Sequence, residues 1–328
     1  MSAYCMTDAG RPILIIGRTP PPFGGVTTHV SRLLQALKDN DLPFEHAELS
    51  SRHLLKVIWF LLYGKHKLVH IHSSNQYACL LVALLCRVTG KKLIMTIHGD
   101  IVQGYTPLKR FLLLRAMKLS SLTITLNESS YNYAMKHQTN ARMITSFIPP
   151  RGTGIKTKSD SFILREFFTY AHQLSYHNGK EVYGVQQLVD IFSKHANLHL
   201  TIIDPSGQYN EKYRSARIAT NIKIIDGCDD ISQIIQGMDV LIRNTTTDGD
   251  SILIKEALFF GKQVIATNCV NRPSSCILVK LGDMMDLEEK IITIDAHANI
   301  VNVTDIEDGS LAIIKIYHEL LCEAEQHA

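Results

Sequence analysis

Short, nearly uninterrupted apolar segments alternate along this chain with stretches of helical period, and that alternation restricts its fold more than any other feature. "PILIIG" (12–17), "KLVHIHS" (67–73), "KKLIMTIHG" (91–99) and "SLTITLN" (121–127) read as strands rich in Ile, Leu, Val and Thr. Helical patterns fill 26–39, 76–89, 107–119 and 128–137 between and after them. "FIPPRGTG" (147–154) breaks the rhythm with Pro-Pro and two glycines, as a linker does. Beyond it strands are predicted at 165–171, 198–204, 222–226, 239–244 and 262–268. Helices are predicted at 183–195, 211–219, 231–237 and 251–260, with a last one near 310–325. Strands that are apolar on both sides need cover on both sides, which means parallel sheets between helical layers. The predicted class is α/β: two doubly wound parallel-sheet, Rossmann-like domains, 1–150 and 151–309, facing across a cleft. The last helix is open to packing back onto the first domain. Ligands of such sheets sit at the carboxyl ends of the strands, so the chemistry is expected there.

Composition narrows the setting. With 45% apolar and 20% charged residues the chain is that of a globular protein. Seven cysteines lie scattered, with no C-x-x-C pair, which points to a reducing compartment and a cytoplasmic protein. The first residues, "MSAYCMTDAGRP", do not read as a signal peptide. The longest apolar runs, 54–63 and 78–86, fall short of the ~20 residues of a membrane span. The net charge of +3 hides an asymmetry: residues 1–150 hold 17 Lys and Arg against 7 Asp and Glu, and the remainder holds 17 against 24. A basic first half suits an anionic partner.

One stretch carries chemistry. In "TDGDSILIKEALFFGK" (247–262) a turn leads into an apolar helix that has Lys255 and Glu256 at its middle and Gly261 as its stop. Asp250 or Ser251 suits the N-cap. The free amides of the first turn, with the Gly249 loop before them, form an anion site fit for a diphosphate. Glu256 lies one turn beyond Ile252, where a carboxylate can accept from both hydroxyls of a ribose. A solvated Lys255–Glu256 strip is the plainer alternative. Against it stand Ile252, Leu253, Ile254, Ala257, Leu258, Phe259 and Phe260, since a helix apolar on most sides is buried and a buried charge needs a partner.

The same stretch resembles the signature of retaining family 4 glycosyltransferases of the GT-B fold, in the bacterial surface-polysaccharide branch, with Asp248 in place of the usual first glutamate. That resemblance implies that Glu256 grips the ribose of a nucleotide-sugar and Asp248 touches sugar hydroxyls. It implies too that the amides of Gly249, Asp250, Ser251 and Ile252 hold sugar and phosphate. "PPPFGGVTTHVSRLLQAL" (20–37) is similar to the family's first strand–helix loop, where Gly24 and Gly25 admit backbone close to substrate. "LIMTIHGD" (93–100) resembles a later strand end, and His98 matches a histidine near the transferred sugar. "IKIIDGCDDISQIIQGMDVLI" (222–242) fits the base-binding region, with Gly227 at its turn. The family's Arg and Lys on the diphosphate are missing: His172 or Gln173 stands for the first, and Tyr183-Gly184 for the second. Lys180 or Arg243 is the candidate replacement.

The expected reaction moves a sugar from a nucleoside-diphosphate donor, UDP or GDP linked, to a lipid-linked saccharide during surface-polysaccharide assembly. "TPLKRFLLLRAMKLSS" (106–121) sets Lys109, Arg110, Arg115 and Lys118 among apolar residues, as in a core-packed helix with snorkelling cations or in a helix lying on the anionic inner membrane. Aromatic residues between the cations are too sparse for nucleic acid. The resemblance implies no obligate metal, and no His/Cys group in the sequence has ligand spacing. Two rivals stay open: a GT-B sugar epimerase, and a catalytically silent nucleotide-sugar-binding partner in a transferase complex. A nucleotide-dependent oxidoreductase would need G-x-G-x-x-G after the first strand, which "GRTPPPFGG" does not supply.

Overall fold

The computed structural model describes residues 13–21, 24–50, 53–150, 166–214, 218–227, 231–294 and 306–326. The chain divides into two compact units, Met1–Ile148 with Asp308–Ala328, and Pro149–Glu307.

The first unit runs β1 (Ile13–Ile16), α1 (Gly25–Asp39), β2 (Phe44–Ala47), α2 (Leu54–Tyr63), β3 (Leu68–His72), α3 (Gln76–Val88) and β4 (Lys92–Ile97). It continues with α4 (Ile101–Gly104), α5 (Pro107–Leu119), β5 (Leu122–Thr125), α6 (Glu128–Lys136) and β6 (Ala141–Met143). The strands form one sheet in the order β2-β1-β3-β4-β5-β6, and every pair is parallel. Alternate residues of each strand feed opposite layers. Leu14, Ile16, Val69, Ile71, Leu93 and Met95 pack with α2, α3 and α5, whereas Ile13, Ile15, Leu68, Ile94 and Ile124 pack with α1. Asn75 and Asn127 cap α3 and α6, their side chains accepting from amides of the first turn.

The second unit holds β7 (Glu166–Tyr170), a small hairpin β8 (Tyr176–His177) and β9 (Lys180–Glu181), α7 (Val185–Phe192), β10 (His199–Asp204), α8 (Gln208–Tyr213) and β11 (Ile222–Asp226). There follow α9 (Ile231–Gly237), β12 (Val240–Arg243), α10 (Ile252–Phe259), β13 (Gln263–Thr267), β14 (Ile277–Val279) and α11 (Met284–Thr293). Its main sheet is again wholly parallel, in the order β11-β10-β7-β12-β13-β14. Counted within the unit this is the doubly wound order 3-2-1-4-5-6, whose switch point lies between β7 and β12. The helix predicted over 211–219 starts earlier, because the buried Asp204 carboxylate accepts from the amides of Tyr209 (2.8 Å) and Asn210 (3.0 Å). Residues 215–217 of that prediction lie outside the described residues, as do 151–154 of the predicted linker.

A final helix, α12 (Gly309–Gln326), belongs to the first unit. Ile313, Ile316 and Tyr317 join the layer beside Leu33 and Leu37 of α1. The Tyr317 hydroxyl reaches His70 Nδ1 at 2.5 Å, and Arg142 pairs with Glu319 at 2.8 Å.

Candidate functional site

The carboxyl edge of the second sheet gathers most of the sequence-predicted residues at its switch point. Arg243 ends β12, and the turn after it folds back so that Arg243 grips Asp248 with two parallel bonds, Nε to Oδ2 and a terminal nitrogen to Oδ1, each 2.9 Å. Arg272, from the loop after β13, adds a third bond of 2.9 Å to Oδ2. Arg243 also donates to the Tyr170 carbonyl at the end of β7 (3.3 Å) and lies over the Tyr183 ring. Arg272 is anchored on the Thr267 carbonyl (3.1 Å) and the Thr245 hydroxyl (3.2 Å). Burial alone would raise the Asp248 pKa. The charges and hydrogen bonds of Arg243 and then Arg272 outweigh it and hold the carboxyl at about 2. Two guanidinium groups on one carboxylate leave this group of three net positive.

The helix that follows answers why an acid sits inside an apolar run. Ser251 is the N-cap of α10, accepting from the Ile254 amide at 3.4 Å, while Asp250 pairs with Lys255. Glu256 is 4% exposed and accepts from Ser232 Oγ of α9 at 2.8 Å. The solvated Lys255–Glu256 strip is therefore replaced by two different environments: Lys255 turns to the loop and Glu256 turns inward. Gly249 donates its amide to Asp248 Oδ1 (3.0 Å).

The other candidates spread around that edge. His172 follows β7 and stacks on Tyr170, with Nδ1 3.4 Å from the Tyr170 hydroxyl, and Gln173 is exposed beside it. Gly227 follows β11 with φ +63°, a left-handed turn that favours glycine. Lys180 stands exposed on the β8–β9 hairpin, and no described contact joins it to Asp248, so of the two replacement cations only Arg243 enters the constellation. Tyr183-Gly184 has a backbone reason. Gly184 caps α7 at φ +58°, and a Cβ there would strike the Asn244 side chain and, at 2.7 Å, its carbonyl oxygen.

In the first unit Gly24 is the N-cap of α1 and Gly25 its first residue. His98, just past β4, faces His72 of β3 across 3.2 Å, and His29 of α1 completes a cluster. Burial first, and then the neighbouring imidazoles, push the pKa of His72 and of His98 well below the usual histidine value, so both are neutral at pH 7. This cluster has no ligand spacing in sequence, which is why residue order alone did not reveal it. Arg272 and Ser232 were missed for the same reason: each is a lone polar residue whose partner arrives from another loop or helix. For Arg272 the signal available was its place just beyond a predicted strand.

No protein-family model matches this sequence, and no curated protein does. Among solved structures the chain is similar to Alr3699/HepE of Anabaena in complex with UDP (TM-score 0.69, 14% identity, 95% of this chain and 100% of that one). It is similar also to sucrose-phosphate synthase of Thermosynechococcus elongatus (TM-score 0.70, 13% identity, 95% and 100%). A third is the lipopolysaccharide outer core galactosyltransferase WaaB in its apo form (TM-score 0.58, 13% identity, 96% and 99%). These neighbours are GT-B glycosyltransferases, and the chain has their fold over nearly its whole length.

Proposed function

We propose that this protein is a retaining glycosyltransferase that moves a sugar from a nucleoside-diphosphate donor to a lipid-linked saccharide acceptor in surface-polysaccharide assembly. The observation that carries the reading is the edge of the second sheet, where the capped start of α10 and two arginines on one aspartate stand at a switch point. Amides at 250–252 would receive the diphosphate, the Gly249 amide being held by Asp248, and departure of that group is the main electrostatic task of the reaction. The net positive charge of the Arg243–Asp248–Arg272 group supplies cationic character that the sequence lacks at the family's usual positions. Glu256, one turn deeper, would accept from the ribose hydroxyls, and His98 would attend the transferred sugar. No step in this reading needs a metal at the diphosphate. HepE, of similar fold, has been crystallised with UDP-glucose, which supports a UDP-linked donor.

The acceptor side of the proposal rests on the first unit. α2 exposes Leu55 (81%), Trp59 (56%) and Tyr63 (72%), and α5 adds Leu108 and Phe111 beside Lys109, Arg115 and Lys118. An apolar face rimmed by cations suits an anionic membrane surface, where a lipid-linked acceptor resides. No helix among the described residues is long and apolar enough to cross a membrane.

Thermal stabilisation by a panel of nucleotides and nucleotide-sugars, followed by transfer assays on lipid extracts, tests this. The expected result is stabilisation by one nucleoside diphosphate and its sugar, with product formation abolished in Glu256→Gln. Stabilisation without turnover on any lipid acceptor would favour the silent binding partner, and no stabilisation at all would end the proposal.

A further inference from the structure

The histidine cluster of the first unit has the makings of a metal site. α1, β3 and the segment after β4 contribute His29, His72 and His98. Register explains two of them: His72 of β3 lies opposite Thr96 of β4, so His98, two residues on, shares its face of the sheet. α1 covers that face from above and brings His29 down. The ring centroids are 5.2, 5.3 and 5.5 Å apart, a nearly regular triangle, and the planes are inclined at 48°, 69° and 42° rather than stacked.

We propose that His29, His72 and His98 together bind one divalent d-block cation of the zinc class, each through a ring nitrogen, with the remaining position left to water. One nitrogen from each residue lies within 4.8 Å of the other two. Nitrogens about 2.0–2.1 Å from a tetrahedral centre stand about 3.4 Å apart. His72 Nδ1 and His98 Nε2 are already 3.2 Å apart, and no edge exceeds 4.8 Å, so each need close by at most about 1.4 Å. His29 is set for the task, because Nδ1 donates to the Ser146 carbonyl at 2.7 Å and Nε2 therefore carries the lone pair. His72 is buried and turns its Nδ1 toward His98, the nitrogen through which it would ligate. The neighbouring histidines are otherwise engaged: His70 with Tyr317 and Thr96, His46 with the Gly17 carbonyl. Three imidazoles without carboxylate favour zinc, cobalt, nickel or copper over magnesium or calcium. The site shares His98 with the donor reading, but its test reads metal binding alone and uses no nucleotide-sugar.

The test titrates the metal-free full chain with Zn²⁺ by calorimetry and with Co²⁺ by visible absorption. The expected result is one ion per chain, a cobalt spectrum without thiolate charge transfer, and affinity reduced about a hundredfold or more in His29→Gln and in His98→Gln. His199→Gln, which removes an exposed histidine paired with Glu166, is the control that keeps full affinity. Melting curves recorded in chelator establish that each variant is folded, and His98, at the rim of the cluster, is the substitution least able to disturb the core. Absence of stoichiometric binding, a thiolate band, or undiminished affinity in both folded variants overturns the proposal.

Discussion

Replacing Asp248 by asparagine tests the ionic group at the switch point most directly. The change is nearly isosteric and removes one charge, leaving Arg243 and Arg272, whose side chains are 11% and 2% exposed, facing each other with no anion between them. Breaking a buried pair in this way costs about 3–5 kcal/mol. An independent route gives a compatible figure: lowering the carboxyl from 3.8 to about 2 corresponds, at about 1.4 kcal/mol per pKa unit, to about 2–3 kcal/mol of stabilisation by the charged form. In a unit of this size the loss lowers its melting temperature by about 6–20 °C. The folded pKa is depressed, so the stabilisation is complete above 3.8 and disappears as pH falls toward 2. Wild type therefore loses stability on acidification through that window more steeply than the variant does. Arg272→Met, which still leaves Arg243 opposite the carboxylate, is expected to cost less. The double variant should lie well short of additivity, since neighbours in one network couple. Urea unfolding at pH 7 and a series down to pH 2 read all of this. An Asp248→Asn protein as stable as wild type, with the same acid dependence, would refute the view that the triad is a structural ion group as well as a candidate site.

Two further outcomes follow from the geometry. Gly184→Ala places a Cβ against Asn244 at a left-handed backbone position, so it is expected to destabilise the second unit by at least about 2 kcal/mol in urea unfolding, and an unchanged midpoint would contradict the close approach. Trp59 is the single tryptophan and is exposed on α2, so its emission should shift to the blue on vesicles of phosphatidylglycerol, less so at high salt, and not on phosphatidylcholine alone; no shift on either would remove α2 from the membrane proposal.

What could be read from residue order was whatever depends on neighbours in the chain. β1, β3, β4, β10 and β13 were legible because both of their faces are buried, which writes a continuous apolar run. β2 ("FEHA"), β6 ("ARM") and β14 ("ILV") were not, because edge or near-edge strands are short and partly exposed and so look like loop. α11 escaped for a related reason: "MMDLEEKIIT" buries only Leu287 and Ile291. The candidate site divides along the same line. That Glu256 would be buried could be argued from the apolar residues on either side of it, yet its partner Ser232 comes from another helix and carries no mark of that role. Arg243 was weighed as a cation for the diphosphate from its nearness to Asp248, but the second arginine on that carboxylate lies 24 residues further on, in a loop whose course residue order does not reveal. The histidines repeat the point across α1, β3 and the end of β4. A parallel sheet brings together residues from successive crossovers, each dozens of residues apart, so the groups most concentrated at its carboxyl edge are those least visible as a motif.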